Sequence, residues 1–162
     1  MEENPALRKA VNLTIKAMQL YSEKRQREAL QTIDEAISVA ETAGLPAFHF
    51  QMAREEIRRG NSRDQSRFIP ILEEAVSYHR REGNVLEQVD ALINLAAILH
   101  RQGDNSRALD YLDQASAAIE GLSTAQRQAL DARSRSRTFR TSTLLRLRLG
   151  EIARLRAHFT AT

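Results

Sequence analysis

The residue types that do chemistry are few in this chain and poorly spaced for it. Four histidines, His49, His79, His100 and His158, stand far apart, without the short spacings that gather metal ligands. His79 and Glu82 lie three apart and share a helix face. A helical di-metal site, however, needs two Glu-x-x-His pairs and two further carboxylates; here the order is reversed and occurs once, so the pair reads as a solvated helix end. The adjacent acids Glu55-Glu56 and Glu73-Glu74 suggest acid–base work, but neighbours on a helix point apart. They read as solvated faces, with Arg58 and Arg59 as partners one turn on. There is no cysteine, which removes thiolate metal sites and a thiol nucleophile together. The six glycines stand singly, so none builds a phosphate cradle. These patterns predict a non-catalytic protein with no cofactor and no metal.

What positions the side chains is a repeat. EALQTIDEAISVAE (28–41), RFIPILEEAVSYHR (67–80) and RALDYLDQASAAIE (107–120) recur with Ala36, Ala75 and Ala115 spaced 39 and 40 apart. A fixed period of this size marks stacked supersecondary units. Gly44, Gly83 and Gly121 close the periodic segments, as left-handed residues just past a helix do. Pro46 suits a first helical turn. Asn84-Val-Leu-Glu87 and Ser123-Thr-Ala-Gln126 have the capping-box spacing, and Gly60-Asn61-Ser62 and Gly103-Asp104-Asn105 break one helix and cap the next. The expected helices lie near 5–24, 26–43, 46–59, 65–82, 85–102 and 105–120, as antiparallel pairs with short turns.

These residues resemble the tetratricopeptide repeat family over roughly residues 5–121. Leu92, Leu95, Ala96 and Leu99, then Gly103-Asp104, then Ala108, Leu112 and Ala115 match its pattern best. Leu13, Ala17 and Leu20 with Ala29, Ile33 and Ala36 follow it too, with Lys16 standing where the later copy has Leu95 and Lys24 replacing the turn glycine. The middle copy keeps Leu72 and Ala75 but has Phe68 and Pro70 in its second helix. Its first helix can turn either Met52 and Ala53 or Phe50, Ala53 and Ile57 inward. Small residues belong where the helices of a pair approach closely, and Leu and Ile fill the grooves between pairs. Lys16 would bury its aliphatic stem there. The fold class expected is all-α: a helical-repeat solenoid of three antiparallel pairs (about 5–43, 46–82 and 85–121 within 1–122), followed by an Arg-rich helical extension or capping helix over 123–162.

The resemblance implies a groove lined by the first helix of each pair. That groove would show Thr14, Ile15, Met18 and Tyr21, then Arg54 and Arg58, then Asp90, Ile93, Asn94, Ala97 and Arg101. Arginines from two repeats suit an extended or helical peptide carrying acidic residues. The alternative occupant is the protein's own tail.

Charge divides the chain. Residues 1–122 hold 15 Lys and Arg against 19 acids, whereas residues 123–162 hold nine Arg against two acids. Such a split points to a separate task for the basic part. Arg133, Arg137 and Arg140 would form one basic stripe if helical, with Arg146 and Arg148 beyond it. Leu145, Leu149, Ile152 and Phe159 share a face on which Arg148 and Arg156 intrude. Three uses compete for this segment: a cap on the open end of the stack, a nucleic-acid patch, or a helix for homo-oligomerisation or a membrane surface. The start, MEENPALRKA, is acidic and has no apolar stretch, so it does not read as a signal peptide, and no apolar run reaches the length of a membrane span. A cytoplasmic location is expected. The function expected is a protein–protein interaction scaffold, adaptor or accessory subunit; the alternative is a nucleic-acid-binding accessory factor working through the tail.

Overall fold

The structure is a computed structural model and describes residues 3–134 and 139–161. Among these, eight helices account for the regular structure: α1 (Pro5–Ser22), α2 (Gln26–Thr42), α3 (Phe48–Arg59), α4 (Phe68–Glu82), α5 (Val85–Arg101), α6 (Asn105–Glu120), α7 (Thr124–Arg133) and α8 (Thr141–Ala161). The protein is all-α, as expected, and none of the described helices is long and apolar enough to cross a membrane. The chain divides into two compact units, Met1–Ile71 and Leu72–Thr162, with the division inside α4.

In the first unit α1 lies along α2, and α3 packs on both. Ala10, Ala17, Ala29, Ala36 and Ala40 are all fully buried, as is Ile33. Small side chains let the backbones of α1 and α2 approach, and Ile33, Phe50 and Ile57 fill the remaining space. Phe50 and Ile57 are therefore the inward residues of α3. Gln26 Nε2 of α2 donates to the Ile57 carbonyl at 2.9 Å, satisfying one of the carbonyls that the end of α3 leaves free. Lys16 does not bury its stem; it remains exposed, because Ala17 and Leu20 already close that face.

In the second unit α5 pairs with α6, and α8 packs on α6 and α5 while α7 packs on α8. Ala96, Leu92, Leu95, Ala108, Leu112 and Ala115 are fully buried. The 123–162 segment thus shares one compact unit with α5 and α6. Its first helix, α7, ends at Arg133, and α8 begins at Thr141. Asp131 of α7 ties the two: Ser142 donates its amide to Oδ1 at 2.8 Å and its hydroxyl to Oδ2 at 2.7 Å. The Ser142 amide and hydroxyl together hold the Asp131 carboxyl below its ordinary range, and the carboxylate caps one of the amides that open α8.

The turns follow one device with one surprise. After α2, α4 and α5, Gly44, Gly83 and Gly103 take φ of 69°, 72° and 83°. The next residue then reaches back five positions: Leu45 to Ala40 at 2.8 Å, Asn84 to His79 and Asp104 to Leu99 at 2.9 Å. After α1 the same geometry falls on Lys24, with φ 63° and Arg25 N bonded to the Leu20 carbonyl at 2.9 Å. Gly121, by contrast, keeps a helical φ of −73°; the polypeptide turns there without a left-handed residue.

Other local readings shift too. α3 starts at Phe48, so Pro46 precedes the helix rather than opening it. α4 starts at Phe68, which puts Pro70 in its first turn, where no amide bond is lost. Ser123 and Gln126 form the reciprocal capping box. Asn84 makes no side-chain cap; its Nδ2 turns to His79 Nδ1 at 3.4 Å instead.

Candidate functional site

Helix α1 turns Ala10, Ala17 and Leu20 inward and leaves a second apolar face outward. Leu7, Val11, Ile15 and Met18 recur at spacings of four, four and three, which keeps them on one side of a helix. They are 39%, 41%, 62% and 38% exposed, and they make up four of the six exposed large apolar side chains among the described residues. Thr14 and Tyr21 flank this face half-buried. Thr14 Oγ1 donates to the Ala10 carbonyl at 2.8 Å, and Tyr21 packs against the core. Of the sequence-derived groove residues here, Ile15 and Met18 are therefore the accessible pair. Leu7 and Val11 precede the groove set that the resemblance implies, which starts at Thr14; the helical period of α1 extended two turns back reaches both. The charged residues of α1 are Arg8, Lys9 and Lys16, with no acid.

Arg54 and Arg58 do not offer free charge. Arg54 Nη1 lies 3.5 Å from Asp34 of α2 and its Nε 3.8 Å from Glu55, while Arg58 Nη1 donates to Glu55 Oε1 at 2.8 Å. Glu55 itself is 6% exposed, not a solvated acid. Phe48 and Glu55 lie on one side of α3, Phe50 and Ile57 on the other, and all four are buried, so this helix is enclosed on two faces. Glu56 does pair as expected, with Arg59 at 2.7 Å, which raises the Arg59 pKa. His79 is also buried, at 7% exposure, because the inward face of Leu72, Ala75 and Val76 continues one turn to it. Glu73 accepts from the Tyr111 hydroxyl at 2.9 Å.

The remaining groove residues stand in the second unit. Asn94 and Arg101 are exposed and Ala97 is half-buried. Ile93 is 7% exposed and so offers no apolar contact to a partner. Asp90 accepts from Arg148 Nε of α8 at 2.6 Å, which raises the Arg148 pKa. Arg156 of α8 reaches Asp113 of α6 in the same way. The two arginines that interrupt the apolar face of α8 are its anchors. Leu145, Ile152 and Phe159 on the same helix are buried, and the Phe159 ring stacks on His100 with centroids 4.0 Å apart.

The predicted basic stripe does not form on one helix. Arg133 is the last residue of α7 and Arg140 precedes α8; both are exposed, as is Arg146. Arg137 lies outside the described residues. Among the described residues no group of three or more His, Asp or Glu could hold a metal ion. Comparison with known proteins returns no family, no characterised protein and no solved structure that matches the chain.

Proposed function

We propose that the protein is a non-catalytic interaction scaffold of the tetratricopeptide-like kind, a stack of helix pairs that holds a segment of another protein. The observation that carries this reading is the outward face of α1. Leu7, Val11, Ile15 and Met18 form a continuous row of exposed apolar side chains. Together they present on the order of 300 Å² of apolar surface, about the size of the largest patch on an ordinary monomer and a size that often marks function. A helical or extended segment with apolar residues on one side fits such a row. Arg8, Lys9 and Lys16 on the same helix favour acidic residues in that segment. A cytoplasmic adaptor or accessory subunit goes with this surface.

The nucleic-acid reading has less to stand on. Arg148 is bound to Asp90, and Arg133 and Arg140 belong to different segments. A photo-crosslinker placed at Ile15 tests the proposal in cells, with the exposed Gln31 of α2 as the control position. The expected result is a discrete protein adduct from Ile15 that Gln31 does not give. Equal labelling from both positions, or labelled nucleic acid, would overturn it.

A further inference from the structure

Within the second unit, α8 repeats the spacing of α5. One reads Leu92-x-x-Leu95-Ala96, the other Leu149-x-x-Ile152-Ala153. Their second inward residues behave alike: Leu95 is fully buried and Ile152 is 2% exposed, while Leu149 is half-buried where Leu92 is fully buried. The alanines do not. Ala96 is fully buried because α6 lies along α5, and Ala17 is fully buried because α2 lies along α1. Ala153 is exposed. Beside it runs an open groove of about 420 Å³ between α6 and α8, whose lining includes Leu149, Ala153, Arg156 and Ala157 of α8 and Ser116 and Glu120 of α6.

We propose that this groove is a slot for a helix, and that an acidic amphipathic helix of another protein fills it. The chain's own helix pairs show what suits such a face. α2, against Ala17, turns Ala29, Ile33 and Ala36 inward and carries Glu28, Asp34, Glu35 and Glu41 against Arg27. α6, against Ala96, turns Ala108, Leu112 and Ala115 inward and carries Asp110, Asp113 and Glu120 against Arg107. The outer rim of the slot is complementary to that charge. Arg148 and Arg156 are drawn inward to Asp90 and Asp113, whereas Arg146 and Arg154 stand exposed on α8, about 12 Å apart along the helix. Acids seven or eight residues apart on an incoming helix meet both. A second copy of this chain is the wrong occupant: its α8 brings arginines against arginines, and its α2 and α6 already bury their apolar faces against α1 and α5. This surface belongs to the other compact unit from the α1 face, so the two readings stand or fall separately.

The test uses the full chain and a labelled synthetic peptide of the α2 sequence, residues 25–43, followed by fluorescence anisotropy. Saturable binding is expected, weakened about tenfold or more by Ala153→Arg, which overfills the slot. Arg146→Glu with Arg154→Glu should weaken it too, and both sites are exposed, so folding is kept. Ile15→Asp should leave it unchanged. No saturation with the unaltered chain up to about 1 mM peptide, or equal binding by Ala153→Arg, overturns the proposal. So does a concentration-dependent dimer that Ala153→Arg dissolves, which makes a second copy the occupant.

Discussion

Replacing Leu145 by alanine tests whether α8 is part of the folded unit or a loose tail. Leu145 is fully buried, while Leu147, two positions on, is 55% exposed. The substitution removes three carbons, worth about 0.8 kcal/mol each when buried. The cavity adds to that, giving about 3 kcal/mol in all. Leu147→Ala should stay within about 0.5 kcal/mol of the unaltered chain. Because the chain has two compact units, hydrogen exchange followed peptide by peptide is the appropriate assay. A loss of 3 kcal/mol accelerates exchange of the most protected amides of α5 and α6 about a hundredfold, with α1 and α2 unchanged. If Leu145→Ala and Leu147→Ala behave alike, the packing of α8 on α5 and α6 is refuted, and the pairing of Arg148 with Asp90 goes with it.

Three further outcomes are expected. Lys24→Gly should stabilise the first unit by about 0.5–1 kcal/mol, since the left-handed conformation costs lysine more than the extra freedom of glycine in the unfolded chain returns; urea unfolding reads it, and a loss would show the turn is held differently. Asp131 has a lowered pKa in the folded state, so its contribution is present above the unfolded value and lost as pH falls through the folded one. Stability measured down an acid titration should therefore fall less steeply in Asp131→Asn. Glu55→Ala should destabilise by about 1–3 kcal/mol, because the buried carboxylate accepts the charged hydrogen bond from Arg58 Nη1 and is the charge nearest to Arg54 Nε, whereas Glu56→Ala, on the half-exposed side, should change little by the same unfolding measurement.

The period and the alanine spacing made most of the helices legible. The turns, α5 and α6 fall within a residue or two of where Gly44, Gly83, Gly103 and Asp104 put them. What escaped has one physical origin: a single helix's pattern shows its own apolar face but not what else encloses it. Glu55 and His79 look like surface residues from their neighbours in sequence and are buried by the packing around their helices. Arg148 and Arg156 look like defects in an apolar face until Asp90 and Asp113, some 40 to 60 residues away, supply the charges they meet. Ile93 belongs to the groove by the repeat resemblance and lies inside. The α1 face was half legible: Ile15 and Met18 came from the repeat pattern, and Leu7 and Val11 needed the structure to show that nothing covers them among the described residues.

The most direct measurement of the central claim is affinity capture from cells with the full chain, beside Ile15→Asp/Met18→Asp and beside Arg133→Ser/Arg140→Ser, each with and without nuclease. The account predicts a protein retained by the unaltered chain and by the arginine variant, insensitive to nuclease, and lost with the α1 variant. Retention that survives the α1 changes but is lost with the arginine variant or on nuclease treatment would contradict it.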